Sequence, residues 1–535
     1  MIADGSLVLR THDLIMFFRK ISIPAYGVLF LGFILRLIAW ANTAVINPDG
    51  ALFIHQAKAL YFGQTDTLFC VQSDLSNYPV MIIGAYWIFH DWVFSARFVS
   101  FVFGFGTLLP IYFLLKRFFD DRTSLLGTLI FAVMPVFVGS STDIIRDPVL
   151  WFFAALGLYW FILALENESL WLLTWSCLSL LMASWARIEA SLLIVFSLIF
   201  LVVRKEDRRI KKSLYFLMPV LGLLVMVLVI GLTTKGYSNS KALFEQTVTA
   251  KLSSPLAPYR AVSEKLAATA LQNRGDNFGF FLNEARRNMW LIALGTVLNR
   301  CLEAFFLPFL LVCGIGLGAT LKKLHTDQRL KYLIYISLAL LIVLYLHALR
   351  SWYLEYRHIC LLIISCSVFI GAGIDKLIQC FHNWFDFQKN VTIVVLALII
   401  ILLPLPKDLM KRDADKQVFK EIGEFVANRE GDLGIIPIAT SCSSYRVVSF
   451  YAHLGYRGAP CPEGSEKTCW EYFADSFDQF IDHVKAEKIK YFLWSEKLWP
   501  AGSGSVFQAP YDLHLKELKR WHHPDTGEMI LYEVR

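Results

Sequence analysis

The chain is short of charge. Only 18% of its 535 residues are Asp, Glu, Lys or Arg, against about 25% in an ordinary soluble domain. That shortage excludes a conventional water-soluble protein over most of the length. No cleavable leader is expected either: the start, through Arg19 and Lys20, is polar and basic, so the first apolar run is expected to be retained as a span. No clear internal repeat is present, which weighs against a transporter built from duplicated halves. No ligand spacing demands a metal. The net charge of +7 calls for no nucleic-acid partner, because the basic residues gather in short segments between apolar runs, where they report topology.

What is abundant is hydrophobic sequence. It makes up 56% of the residues, and mean hydropathy is +0.52. A membrane-spanning helix takes roughly 20 mostly apolar residues, and about eleven stretches qualify. The expected spans are Ile21–Thr43, Val93–Leu115, Ser124–Gly139, Pro148–Leu165, Trp171–Ala186, Ser191–Val203, Leu214–Thr233, Met289–Leu317, Tyr332–Leu349, Ile359–Ile374 and Val391–Leu403. Tyr78–His90 is apolar but too short to cross, and is expected to lie in the outer interface.

Charge sets the orientation. With the N-terminus inside, the short inner segments carry eighteen Lys and Arg, while the outer ones carry six: Lys58, Arg97, Arg146, Arg187, Arg350 and Arg357. The positive-inside rule then favours N-in, C-out. The outer face receives loops 47–91, 140–147 and 234–288 and everything after Pro404. This divides the chain into a membrane domain, 1–405, and an extracytoplasmic domain, 406–535. Ala51–Phe62 in the first loop reads as an amphipathic helix on the membrane.

The tail alternates helical and strand patterns. Asp415–Asn428 places Val418, Ile422, Phe425 and Val426 on one helical face. Gly434–Ala439 and Tyr491–Trp494 read as buried strands, Asp475–Lys485 as a helix, and Met529–Val534, after the Asp525-Thr526-Gly527 turn, as a final strand. A small α/β domain is expected. Of the tail cysteines, Cys461 and Cys469 are candidates to pair, with Cys442 competing; three leave at least one thiol over.

Charged residues at a membrane rim are costly and so are candidates for function. Asp49, between Pro48 and Gly50, reads first as a turn or capping residue. Asp143 and Asp147 flank Arg146, and Asp147-Pro148 is a good helix start. Arg187 and Glu189 form either a structural ion pair or part of a site, and His55 lies nearby in character as a polar residue of the first loop. Arg300 and Glu303 are spaced for an internal ion pair. Arg357 and His358 open a span, either as interfacial anchors or as an anion site, since arginine holds phosphate through a planar fork of donors. Arg350 would share that face if the helix ran on. Carboxylates and arginines thus fall in one layer at the outer rim. This suits transfer of a group from a lipid phosphate, with a carboxylate as base and cations on the departing phosphate.

The order of motifs resembles the GT-C superfamily of membrane glycosyltransferases, in particular the dolichyl-phosphate-mannose protein mannosyltransferase and lipid A aminoarabinose transferase relatives. The resemblance runs over roughly Phe30–Leu362 and is carried by Arg36, Asp49, Tyr78-Pro79, Ser95-Ala96-Arg97-Phe98-Val99-Ser100, Tyr112–Phe119, Ala132-Val133-Met134-Pro135, Arg146-Asp147-Pro148, Arg187-Ile188-Glu189-Ala190 and Tyr356-Arg357-His358. It implies a GT-C-like polytopic α-helical membrane protein with a soluble α/β tail. The implied reaction moves a sugar from a polyprenyl-phosphate donor to a lipid, glycan or protein acceptor, typically with inversion.

By this resemblance Asp49 is the base, and Asp147, with Asp143, orients it or the acceptor. Arg357 with His358 binds the donor phosphate, helped by Arg260 of the long loop. Asp49, Asp147 and Arg357 are then expected at one cavity mouth. Some relatives hold a divalent metal between such carboxylates, so Mg or Mn at Asp49, Asp143 and Asp147 is a further implication. Two positions depart from the pattern. Asp49-Gly50 stands where protein mannosyltransferases carry Asp-Glu, and Asn77-Tyr78-Pro79 stands where aminoarabinose transferases carry Lys-Pro-Pro, which leaves the acceptor class open. The location implied is a bacterial inner membrane with the tail in the periplasm. The competing readings are a transporter or flippase of a lipid-linked glycan and a non-catalytic envelope scaffold.

Overall fold

The computed structural model describes residues 22–535 except 71–73, 205–207, 234–256, 325, 386–387, 432–433, 442–444, 460–468, 472–476, 498–513 and 525–526. The front of the third outer loop, the Asp525-Thr526 turn, Cys442 and Cys461 therefore lie outside the described residues. The chain divides into two compact units. The first comprises 1–35, 103–138 and 147–408; the second comprises 36–102, 139–146 and 409–535.

All eleven apolar stretches fall on helices. Among the described residues five helices are long and apolar enough to cross a membrane: Ile23–Ala41, Trp92–Leu115, Asp147–Asn167, Arg209–Val229 and Gln328–Ser351; two bent pairs raise the number to seven. Leu170–Ala186, Ile188–Val203 and Asn390–Leu402 are apolar but shorter.

The two bends correct the expected spans. Met289–Leu317 is not one helix: Met289–Phe305 and Leu307–Leu321 meet at 102°. Phe306 sits at φ +59°, and the next helix starts with Pro308 in its first turn, where a missing N–H costs nothing but continuation from before is blocked. Ile359–Ile374 is likewise broken, with Tyr356–Ser365 and Ser367–Asn383 at 67°.

In the first unit, Asp147–Asn167 packs antiparallel to Leu170–Ala186 through small residues. Ser176 Oγ donates to Gly157 O at 2.8 Å and Ser179 Oγ to Phe153 O at 2.7 Å. A Cβ on Gly157 would stand 2.8 Å from the Leu180 side chain. Small residues and hydroxyl bonds replace the hydrophobic drive that lipid cannot supply. At the far end of the long helix, Glu166 accepts from Arg117 Nε at 2.6 Å and from Arg329 Nη1 at 2.5 Å. One carboxylate thus ties three connections together. Arg300 and Glu303 form the expected ion pair.

The second unit joins the first two outer loops and the tail. Its sheet runs β2-β1-β3-β5-β4, with β1 Ile438–Thr440, β2 Cys469–Glu471, β3 Tyr491–Ser495, β4 Leu515–His523 and β5 Gly527–Val534. β2, β1 and β3 are parallel, and β5 runs antiparallel to β3 and β4. Phe480, Val484, Phe492 and Ile530 are buried together in its core. Gln417–Glu430 buries Phe419, Ile422, Gly423 and Val426; a Cβ on Gly423 would meet Val448 O at 2.6 Å, so this glycine admits the helix Tyr445–Ala452. Cys70 of the first loop is disulfide-bonded. Cys70 therefore joins the three tail cysteines among the candidates for pairing.

Candidate functional site

Three chain breaks in the first unit converge on one cavity. Asp147 opens its helix with Pro148 behind it. Leu170–Ala186 stops at Arg187, whose backbone is extended (φ −146°, ψ 125°), and one 3-10 turn, Ile188–Ala190, restarts the chain. Gln328–Ser351 ends where Trp352 turns left-handed (φ +55°), and the 3-10 turn Tyr356–Ile359 follows. Such breaks sit at membrane depth only where they line a cavity or lie buried in protein.

The cavity encloses about 600 Å³, including space open to solvent. Asp147, Arg187, Glu189, His347, Arg357 and His358 form its polar lining. Leu150, Leu340, Val343, Leu344, Leu361 and Leu362 form an aliphatic wall. Arg187 Nη1 donates to Asp147 Oδ1 at 2.8 Å, and Arg187 Nε lies 3.5 Å from Glu189 Oε2. Arg357 pairs through Nε with Glu355. The His347 and His358 rings meet edge to face with centroids 5.4 Å apart. His358 Nδ1 is buried with no hydrogen-bond partner among the described residues, a donor or acceptor left over beside two arginines.

Of the residues named from sequence, Asp147, Arg187, Glu189, Arg357 and His358 come together here. Arg260 does not: it stands exposed on Ala257–Gln272 and is not part of the lining. Arg350 does not share the Arg357 face, because the helix ends at Ser351. His347 was not singled out; a lone histidine in an apolar 24-residue helix was its only signal.

Asp49, Asp143, Arg146 and His55 belong to the second unit. Asp49 lies in the first turn of Pro48–Tyr61, with Asn47 at the cap position. The Asn47 side chain is engaged elsewhere: Nδ2 donates to Ile144 O at 3.2 Å, and Ile144 N donates to Oδ1 at 2.8 Å. This clamp binds the Asp49 loop to the Asp143 loop. Gly50 permits the approach, since a Cβ there would stand 2.9 Å from Ile144 Cβ. Asp143 accepts from Arg412 Nη2 at 2.9 Å, and Arg412 Nη1 donates to Gly139 O at 2.7 Å. Arg146 pairs with Asp74 at 2.7 Å. His55 donates from Nε2 to Thr67 O at 2.9 Å; burial holds its pKa below the usual histidine value.

Asp143 is matched by Arg412 and Asp147 by Arg187, and no three His, Cys, Asp or Glu gather into a metal-binding group among the described residues. A cation there would compete with guanidinium groups already in place.

Residues 78–231 match the family described as dolichyl-phosphate-mannose-protein mannosyltransferase. No curated protein matches the sequence. Among solved structures, the oligosaccharyltransferase AglB from Archaeoglobus fulgidus, in complex with an inhibitory peptide and a dolichol-phosphate, aligns with a TM-score of 0.52 at 11% identity, over 95% of this chain and 74% of that one. The same organism's oligosaccharyltransferase with Zn and sulfate gives a TM-score of 0.54 at 11% identity over 94% and 72%. ArnT from Cupriavidus metallidurans bound to undecaprenyl phosphate aligns over 98% of both chains at 11% identity, with a TM-score of 0.40 that is too low to carry weight. At such identities the likeness is one of fold. The chain shares the fold of the A. fulgidus oligosaccharyltransferase, a GT-C-like fold with several helices apolar enough to cross a membrane.

Proposed function

We propose that the chain transfers a sugar from a polyprenyl-phosphate donor to an acceptor hydroxyl at the outer membrane face, with inversion. The observation that carries this is the cavity's mixed lining, in which Arg187, Arg357 and His358, with the carboxylates Asp147 and Glu189, stand together with six aliphatic residues. A lipid phosphate combines the same two characters. Arginine donors suit its phosphate oxygens, and the leucines suit its chain. In the transition state the same cations meet the charge that develops on the departing phosphate. Asp147 keeps Arg187 aimed at the cavity. Asp49 is proposed as the base on the acceptor hydroxyl, with Asp143 supporting the acceptor side; these two assignments rest on the sequence resemblance. The A. fulgidus protein of like fold is described with a dolichol-phosphate, the same ligand chemistry. Transfer at the outer face goes with N-in, C-out topology and with an extracytoplasmic tail.

The test is reconstitution in vesicles with a polyprenyl-phosphate sugar and a mixed pool of envelope acceptors, following release of free polyprenyl phosphate. Wild type releases it, while Arg357→Ala and Asp49→Ala do not. Release by both variants at the wild-type rate would reject the reading.

A further inference from the structure

The segment between Gln328–Ser351 and the Arg357 turn is built as a brace. Ser351 Oγ lies 2.8 Å from His347 O and 2.7 Å from Tyr353 O, holding the turn at the left-handed Trp352. The Trp352 ring stacks on Tyr259 with an interplanar angle of 19°. Beyond it, the two oxygens of one carboxylate take different partners: Tyr353 Oη donates to Glu355 Oε1 at 2.7 Å, and Arg357 Nε faces Glu355 Oε2. His358 N donates to Glu355 O at 3.1 Å, so the same residue also fixes the backbone that carries the histidine. Arg357 and His358 line the cavity; Tyr353 and Glu355 do not.

The Tyr353 ring is exposed, and its hydroxyl, bonded to Glu355, is held above the usual tyrosine range. It stays a neutral donor throughout the physiological range and is a steady anchor for one carboxylate oxygen. An arginine carries large rotamer freedom, and fixing it before the ligand arrives removes that cost from binding. We propose that Glu355, anchored by Tyr353, is the positioning residue that presents the Arg357 guanidinium to the phosphate of the lipid donor. This rests on the headgroup reading given above.

The brace predicts coupling rather than simple charge balance. A carboxylate beside an anion site repels the anion, so its removal should tighten binding if charge alone mattered. If positioning dominates, removal weakens it.

The experiment measures binding of undecaprenyl phosphate to the full-length protein in nanodiscs, with thermal unfolding as a control for folding. Glu355→Ala should weaken binding about tenfold, Glu355→Asp should recover most of it, and Tyr353→Phe should weaken it about threefold. The double variant Glu355→Ala/Arg357→Ala should bind no worse than Arg357→Ala, because Glu355 acts only through that arginine. Binding by Glu355→Ala at or above wild-type strength would overturn the proposal, as would an additive loss in the double variant. If Arg357→Ala itself binds like wild type, the headgroup reading fails instead, a result separate from either of those.

Discussion

Asp147 and Arg187 form a pair joined at 2.8 Å, with side chains only 3% and 13% exposed. They come from the start of one helix and the end of the next, so the bond closes the corner of that helical hairpin. Removing one partner of such a pair strands the other charge in a poorly solvated place, at about 3–5 kcal/mol. Asp147→Ala should therefore lower the melting temperature and abolish polyprenyl-phosphate binding. Asp147→Asn keeps an acceptor for Arg187 and should lose less stability. A melting curve for Asp147→Ala that overlays wild type would show that the pair does not hold the corner.

Gly50 tests whether the clamp between the first two outer loops matters. A β-carbon there meets Ile144 Cβ at 2.9 Å and Asn47 Oδ1 at 3.2 Å. Overpacking of this kind costs about 1–3 kcal/mol. Gly50→Ala should destabilise the protein by that order and reduce transfer, and Ile144→Gly, which removes the obstructing β-carbon, should make the added methyl cost less when the two are combined. If the second substitution rescues nothing, the loops are not held by this contact.

His453 makes the tail sensitive to acid. Its Nδ1 donates to Ser449 O at 2.7 Å and its Nε2 accepts from Ile436 N at 2.9 Å, which only the neutral ring can do. Burial lowers its pKa, the Ser449 carbonyl acts against this, and nearby Lys58 adds to the lowering. The unfolded chain then takes up a proton near pH 6.5 that the folded chain refuses. Stability from this residue is complete above about pH 6.5 and is lost as pH falls toward the folded value. Hydrogen exchange of 436–453, corrected for intrinsic rates, should show protection falling between about pH 7 and 5.5. His453→Gln should flatten that slope; an unaltered slope would assign the acid sensitivity elsewhere.

The disulfide at Cys70 bears on which side the first loop occupies. Disulfides persist in oxidising compartments. Alkylation of the purified, unreduced protein followed by peptide mapping should leave Cys70 unmodified, and reduction should expose it. Label on Cys70 before reduction would break the link between this loop and the outer face.

The helices were legible because apolar runs of membrane length are hard to mistake, and Asp147-Pro148 announced a helix start. The bend at Phe306 had a signal in Pro308, outweighed by the hydrophobic run on either side. The bend at Cys366 had none. In the tail, Ile422 and Val426 marked their helix face, whereas β4 was missed because Lys516, Glu517, Lys519 and Arg520 break the alternation expected of a strand. Arg357 and His358 could be named from their place at a span end. Their neighbours Arg187, Glu189 and His347 could not be ranked, since what distinguishes them is convergence across four segments remote in sequence. Likewise Arg412, which holds Asp143, lies 269 positions away, and no local pattern links them.

The broken helix pairs depend on glycine, and the same helix supplies its own controls. A β-carbon on Gly316 would fall 1.8 Å from Phe369 O and 2.4 Å from Gly373 N; one on Gly373 would fall 1.9 Å from Val312 O. Leu307–Leu321 and Ser367–Phe385 therefore approach backbone to backbone, as small residues allow in a membrane. The obstacle is main chain, so no side-chain rotation relieves it. Gly316→Ala should force the helices apart and cost at least about 1–3 kcal/mol, seen as a lower melting temperature and poorer folded yield. Gly314 and Gly318 lie on the same helix with nothing within 4 Å of an added β-carbon. Alanine there should be neutral or slightly stabilising, since it removes backbone freedom from the unfolded chain without a clash. Equal effects at 314, 316 and 318 would mean that helix propensity, and not the crossing, sets the outcome.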